Sequence, residues 1–393
     1  MNVHPLAEQV VETLAKTLLP IEAPQALHEP AFQGNEWAYV KECLDTGWVS
    51  SVGKFVDRFE RELSEFTQAR HAVAVVNGTA ALHVALKLVG VEPGDEVLAP
   101  ALTFVATANA ISYCGAIPHF VDSEVRTLGM DPAKLRDYLL EIVELRPGGS
   151  FNRLTGRRIK AIVPMHTFGH PVDLDPLLEI SERLQIEMVE DAAESLGSYY
   201  KGRHTGNWGR VAALSFNGNK IVTTGGGGAI LTNDPDLARL AKHLTTTAKV
   251  PHRWAFFHDH IGYNYRLPNL NAALGCAQLE QLPRFVERKR ALAARYQHAF
   301  SEIADLSFVQ EPEFAKSNYW LNAILLSSEH ASLRDRLLER LNDAGWMSRP
   351  VWALMSELPM YSACPAMDLS VARDLERRTI NLPSSAVLGG NYA

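Results

Sequence analysis

The sequence predicts an α/β protein with a large domain on a mainly parallel sheet and a smaller C-terminal α/β domain. Three observations carry this. Short apolar runs alternate with amphipathic helical stretches between residues 71 and 244, the pattern of βα units that pack as a parallel sheet with helices on both faces. Polar and glycine-containing segments stand just past the apolar runs, where ligands of such sheets collect. Near residue 251 the alternation gives way to a basic, aromatic, histidine-rich stretch and then long helices.

In chain order, residues 1–27 read as an appended amphipathic helix and linker, 28–250 as the large domain and 251–393 as the small one. The first residues lack a basic start followed by an apolar core, so no signal peptide is expected. Residues 36–46 have helical periodicity, with Trp37, Val40, Cys43 and Leu44 on one side, and 54–67 form a helix with Phe55, Phe59, Leu63 and Phe66 inward. Between them Gly47–Gly53 is a loop, either a surface turn with a buried Trp or a ligand contact. Strands follow at 71–76, 96–99, 117–121, 160–163, 186–190, 211–216 and 228–232, with helices at 80–89, from 103, 130–140, 174–184 and 236–244. Later elements are helices at 269–282, 287–300 and 332–344 and a strand at 322–326.

The 393 residues are 47% hydrophobic and 21% charged with a net charge of -7, which fits a globular protein and excludes a general nucleic-acid binder. Cys43, Cys114, Cys276 and Cys364 are scattered without a C-x-x-C pair, so neither a zinc ribbon nor a disulfide framework is indicated and a reducing compartment is expected. His252, His258 and His260 lack metal-ligand spacing. No apolar run is long enough to span a bilayer.

The chemistry concentrates in residues 187–230. An apolar run ends in Asp191, and the next ends at Ser215-Phe216-Asn217-Gly218-Asn219 before Lys220 and the glycines 225–228. A lysine amine can form a Schiff base with pyridoxal phosphate (PLP), and a carboxylate beside the pyridine nitrogen keeps that ring protonated so that it accepts electrons. Taken alone, Asp191 reads more readily as a helix cap or a salt-bridge partner, and Lys220 as a solvated lysine. Asn77-Gly78-Thr79-Ala80 sits between a strand and a helix, where free N–H groups and the helix dipole make an anion site, or simply an N-capped turn. Phe104, at another strand-to-helix junction, either lies on a cofactor ring or packs in the core. The P-loop and G-x-G-x-x-G patterns are absent.

With these segments in order, the chain from about His28 resembles the PLP-dependent nucleotide-sugar aminotransferases of the DegT/DnrJ/EryC1/StrS family, fold type I (aspartate aminotransferase-like). The resemblance rests on the Gly47-Trp48 loop, Asn77-Gly78-Thr79-Ala80, Gly94-Asp95-Glu96-Val97, Thr103-Phe104, Asp191-Ala192-Ala193-Glu194-Ser195, Ser215-Phe216 before Lys220, and Gly262-Tyr263-Asn264-Tyr265-Arg266 followed by Asn271-Ala272-Ala273. It implies that Lys220 carries PLP as a covalent aldimine and shuttles a proton, and that Asp191 pairs with the ring nitrogen. It implies further that Gly78, Thr79 and Ser215 hold the phosphate and that Phe104 stacks on the ring. Glu194 stands where the family commonly has Gln or His near the ring hydroxyl. Asn264 is implied to reach the partner subunit's cofactor, so a homodimer with shared sites follows. Trp48, Ser50, His170 and Arg266 are implied to bind substrate, Arg266 at the diphosphate.

By the same resemblance the amino donor is L-glutamate and the acceptor is C4 of a nucleotide-linked 4-keto-6-deoxy sugar, in a cytoplasmic enzyme of surface-polysaccharide synthesis. The wording at 46–51, 215–220 and 319–322 looks most like the subgroup acting on UDP-linked N-acetylated sugars (bacillosamine- or legionaminic-type). The alternative is perosamine synthesis from GDP-4-keto-6-deoxymannose. Relatives with histidine in place of the lysine dehydrate the sugar; Lys220 argues for transamination. A non-catalytic sugar-nucleotide sensor on the same fold is the rival from another class.

Overall fold

The computed structural model describes residues 4–390; the first three residues of the expected N-terminal segment and the last three of the chain lie outside that range. Its main sheet runs His71–Val75, Gly228–Thr232, Val211–Ser215, Glu187–Asp191, Arg158–Ile162, Glu96–Pro100, Ile117–Val121. The last five are mutually parallel. Gly228–Thr232 is antiparallel to both neighbours, so the sheet is mixed. The central strands are buried nearly throughout, as a sheet covered by helices on both faces requires, which is why they read as continuous apolar runs.

The structure differs from the sequence reading in four places. Asp131 accepts from the Ala133 and Lys134 N–H groups ahead of Pro132, so the helix begins there and runs Pro132–Ile142. A Val143–Arg146/Gly149–Asn152 hairpin then pairs antiparallel with the start of the interior strand Arg158–Ile162. On helix Glu36–Thr46 only Glu36 and Cys43 are buried, while Trp37 and Leu44 are 76% and 58% exposed. Glu36 faces inward because it accepts from Gln278 and Gln281 on the neighbouring helical segment. Pro283 fits only the first turn of a helix, so the expected 269–282 helix ends at Leu279 and a new one, Leu282–Phe300, begins.

A second, antiparallel sheet orders Leu306–Phe308, Asn322–Leu326, Thr379–Leu382 and Arg349–Pro350. Helix Pro5–Leu18 buries Leu6, Val10, Leu14 and Leu18 in the cluster that also holds Leu292, Tyr296, Phe300, Leu337 and Leu341. Helix Asn269–Leu279 instead packs on Glu36–Thr46 and Lys54–Thr67. Among the described residues no helix is long and apolar enough to cross a membrane.

Candidate active site

The sheet register assembles the site. Asp191 and Ser215 end adjacent parallel strands, with Asp191 opposite Ala213. Ser215 pairs with Gly228, and Gly228 with Val75, which carries the start of the next helix to the same edge. That approach requires glycine at two places. A Cβ on Gly228 would come 2.5 Å from the Asn77 carbonyl carbon, and one on Gly78 would come 2.8 Å from the Ser215 Cβ. Asn77 caps helix Gly78–Leu88 by accepting from the Ala80 N–H at 2.7 Å. The uncapped N–H groups of that first turn, with the Thr79 and Ser215 hydroxyls, form a cradle for an anion.

A cavity of about 330 Å³ opens on this edge, lined among others by Gly78, Thr79, Phe104, Asp191, Glu194, Ser215, Lys220, Trp320 and Trp352. The Asp191 carboxylate accepts from the Thr107 hydroxyl at 2.7 Å and the Ala193 N–H at 3.2 Å. Burial pushes its carboxyl upward, against the pull of Thr107, Ala193 and the Lys220 charge. Lys220 Nζ donates to Glu194 Oε1 at 3.2 Å and lies 3.7 Å above the Trp320 ring centre. The indole is fixed from behind, its N–H donating to the Asn219 carbonyl at 2.8 Å. Glu194 also accepts from the Phe168 N–H at 2.9 Å. Burial raises its carboxyl to about 7, with Lys220 opposing. Phe104, 49% exposed, stands at the mouth beside Trp352.

Seven of the expected residues thus meet at one cavity: Gly78, Thr79, Phe104, Asp191, Glu194, Ser215 and Lys220. Asn264 and Arg266 do not line it; they bond to each other at 3.0 Å on the segment beside Val75. Trp48 and Ser50 also lie outside it, their carbonyls accepting from Asn269. His170, expected at the substrate, is instead buried edge-on against Tyr319 with both ring nitrogens unpartnered, and burial pushes its imidazolium down to about 4. The tight turn through Phe168, with φ 56°, turns the Phe168 N–H towards Glu194 and carries His170 into the interior. Sequence reasoning missed Thr107, Trp320 as the lysine's neighbour, and Trp352. Thr107 was findable, one helical turn from Thr103 and hydroxyl-bonded to it at 2.9 Å. Trp352 carries no local signal.

The residues fit PLP: a primary amine, a buried carboxylate held by two donors, and a glycine-permitted anion cradle face one cavity. Fold and site together define a PLP-dependent aminotransferase of fold type I. The chain belongs to the DegT/DnrJ/EryC1/StrS aminotransferase family, whose family model matches residues 30–392. It is 38% identical over 362 residues to the GDP-perosamine synthase of Caulobacter vibrioides, covering 91% of this chain and 92% of that one. It is 37% identical to the GDP-perosamine synthase of Escherichia coli O157:H7, again covering 91% and 92%. Among solved structures it resembles the aminotransferase TlmJ from Streptoalloteichus hindustanus, with a TM-score of 0.81 at 31% identity, covering 91% and 93% of the two chains. The names of these curated relatives carry a GDP-linked sugar, the alternative of the sequence reading, rather than the UDP-linked N-acetylated sugar it favoured.

Proposed function

We propose that the protein transfers an amino group from L-glutamate to C4 of GDP-4-keto-6-deoxymannose, as a perosamine synthase. The observation that supports it best is the convergence of Lys220, Asp191 and the Gly78–Thr79 cradle on one cavity, combined with the relatives' names. When bound, PLP supplies an electron sink for the carbon that loses its proton. Asp191 holds the ring nitrogen protonated. Gly78, Thr79 and Ser215 hold the phosphate, and Phe104 covers the ring. Lys220 removes and returns the proton on donor and acceptor carbons in turn, with Trp320 and Glu194 fixing where its Nζ stands.

The working form is a homodimer in the cytoplasm. Support comes from the exposed apolar side chains at Trp37, Trp48, Val52, Trp254, Phe256 and Ile261 and from the four free cysteines. Asn264 serves the partner subunit's cofactor, and Trp48, Ser50 and Arg266 its nucleotide sugar. The chain divides into an extension (1–27), a large domain and a small C-terminal domain, with helix Asn269–Leu279, expected in the small one, packed on Glu36–Thr46 and Lys54–Thr67 of the large one.

Incubation with L-glutamate and a panel of GDP- and UDP-linked 4-keto-6-deoxy sugars, read by mass spectrometry, tests this. An amino sugar from the GDP-linked substrate is expected. Product only from UDP-linked N-acetylated sugars would move the assignment to the other subgroup, and binding without product would make it a sensor. Lys220→Ala is expected to retain PLP non-covalently, lose the absorption band of the lysine-bound cofactor, and lose turnover by at least about 10²-fold, the scale of one acid–base group. Near-wild-type turnover would show that another amine is used.

A further inference from the structure

We propose that Glu194 is a catalytic residue of cofactor loading: it takes the proton from the Lys220 ammonium so that the free amine can attack the cofactor aldehyde. This rests on Lys220 being the amine that binds PLP. The geometry is direct, since Nζ and Oε1 are 3.2 Å apart with both side chains largely withdrawn from water. The other Glu194 oxygen is fixed by the Phe168 N–H, so the acceptor cannot swing away. An amide here would hold the same shape and accept no proton.

The groups facing Glu194 are few. Lys220 and the Phe168 N–H favour its charged form, and Asp191, on the strand before it, disfavours it. From the C-terminal layer come Trp320, over the ammonium, and Asn318, bonded to the Glu194 carbonyl. His166 is engaged with Glu190, His170 faces Tyr319, and His28 lies behind Trp320. In the step, the ammonium gives one proton to the Glu194 carboxylate, and the nitrogen lone pair forms the C–N bond to the aldehyde carbon. The aldehyde oxygen then leaves as water with two of the three ammonium protons, one returned by Glu194. The C=N nitrogen keeps the third, and nothing is oxidised or reduced. A carboxyl at about 7 is partly ionised at neutral pH, so it can both take a proton and return one.

The test is stopped-flow absorbance of the full chain, freed of cofactor and mixed with PLP across pH 5.5–9. Wild type is expected to load faster as pH rises through about 7, as Glu194 ionises, and then to level. Glu194→Gln should load at least tenfold more slowly at pH 7 and lose that inflection. Glu194→Asp should restore it in part, and acetate should accelerate Glu194→Ala. An unchanged rate and inflection in Glu194→Gln, or no acetate response in a Glu194→Ala protein with wild-type circular dichroism, overturns the proposal. If Lys220→Ala loads with the wild-type absorbance change, the underlying assignment of the amine fails instead.

Discussion

Asp191 shows how one buried carboxylate is held in place at the site. Thr107 and the Ala193 N–H fix both oxygens, yet burial still raises the carboxyl above its ordinary 3.8. An acid raised in the folded chain lowers stability above its ordinary pKa, because the unfolded chain ionises it more easily. Replacing it should therefore separate stability from function. Asp191→Asn can still accept from Thr107, so the cofactor-free protein should melt no lower than wild type at pH 7, while turnover falls by about 10²-fold, the scale of one oriented electrostatic group. A calorimetric scan beside an activity assay measures both, and wild-type activity in Asp191→Asn would remove Asp191 from the ring nitrogen.

One element behind the site is braced the opposite way. On strand Glu187–Asp191 the alternating Glu190 points to the other face, where it accepts from the Trp208 N–H at 2.6 Å, from Gly206 and Gly209 at 2.8 Å, and from His166 at 3.1 Å. Burial works to raise this carboxyl, but His166 and the Gly209 and Gly206 N–H groups outweigh it and hold it below its ordinary 4.5. The sign follows: a depressed folded-state pKa contributes stability that is present above about 4.5 and lost as pH falls below it. Urea titrations of Glu190→Gln should show lower stability at pH 7 and a shallower loss between pH 5 and 3 than wild type. Equal slopes would show that other carboxylates govern the acid limb. The period-two pattern of a strand allows this division, since neighbours 190 and 191 serve opposite faces.

At the scale of the whole molecule, the chain closes on itself. The family match begins at residue 30, yet helix Pro5–Leu18 is stitched into the C-terminal layer, with Val10, Leu14 and Leu18 fully buried. Leu14→Ala should lower unfolding free energy by about 2–5 kcal/mol, the usual cost of a large-to-small change in a packed core. Chemical denaturation measures it. A change under about 0.5 kcal/mol, the range of surface substitutions, would mean that the helix is docked only loosely.

The residue sequence by itself determined the alternation of strands and helices and the identity of the reactive groups. Strands such as Gly228–Thr232 were legible because burial on both faces demands a continuous apolar run, and helices such as Lys54–Thr67 because burial on one face imposes a helical period. Asp191, Lys220 and Asn77-Gly78-Thr79 were legible because each lies at or just past a strand end. Only tertiary structure decided the rest. The antiparallel entry of Gly228–Thr232, the packing of Trp37 outward, and the meeting of Thr107, Trp320 and Trp352 with residues far away in sequence depend on strand order and layer contact. Glu194 makes the same point from one residue: its identity is written locally, but its ionisation is set by the depth at which the fold buries it beside Lys220.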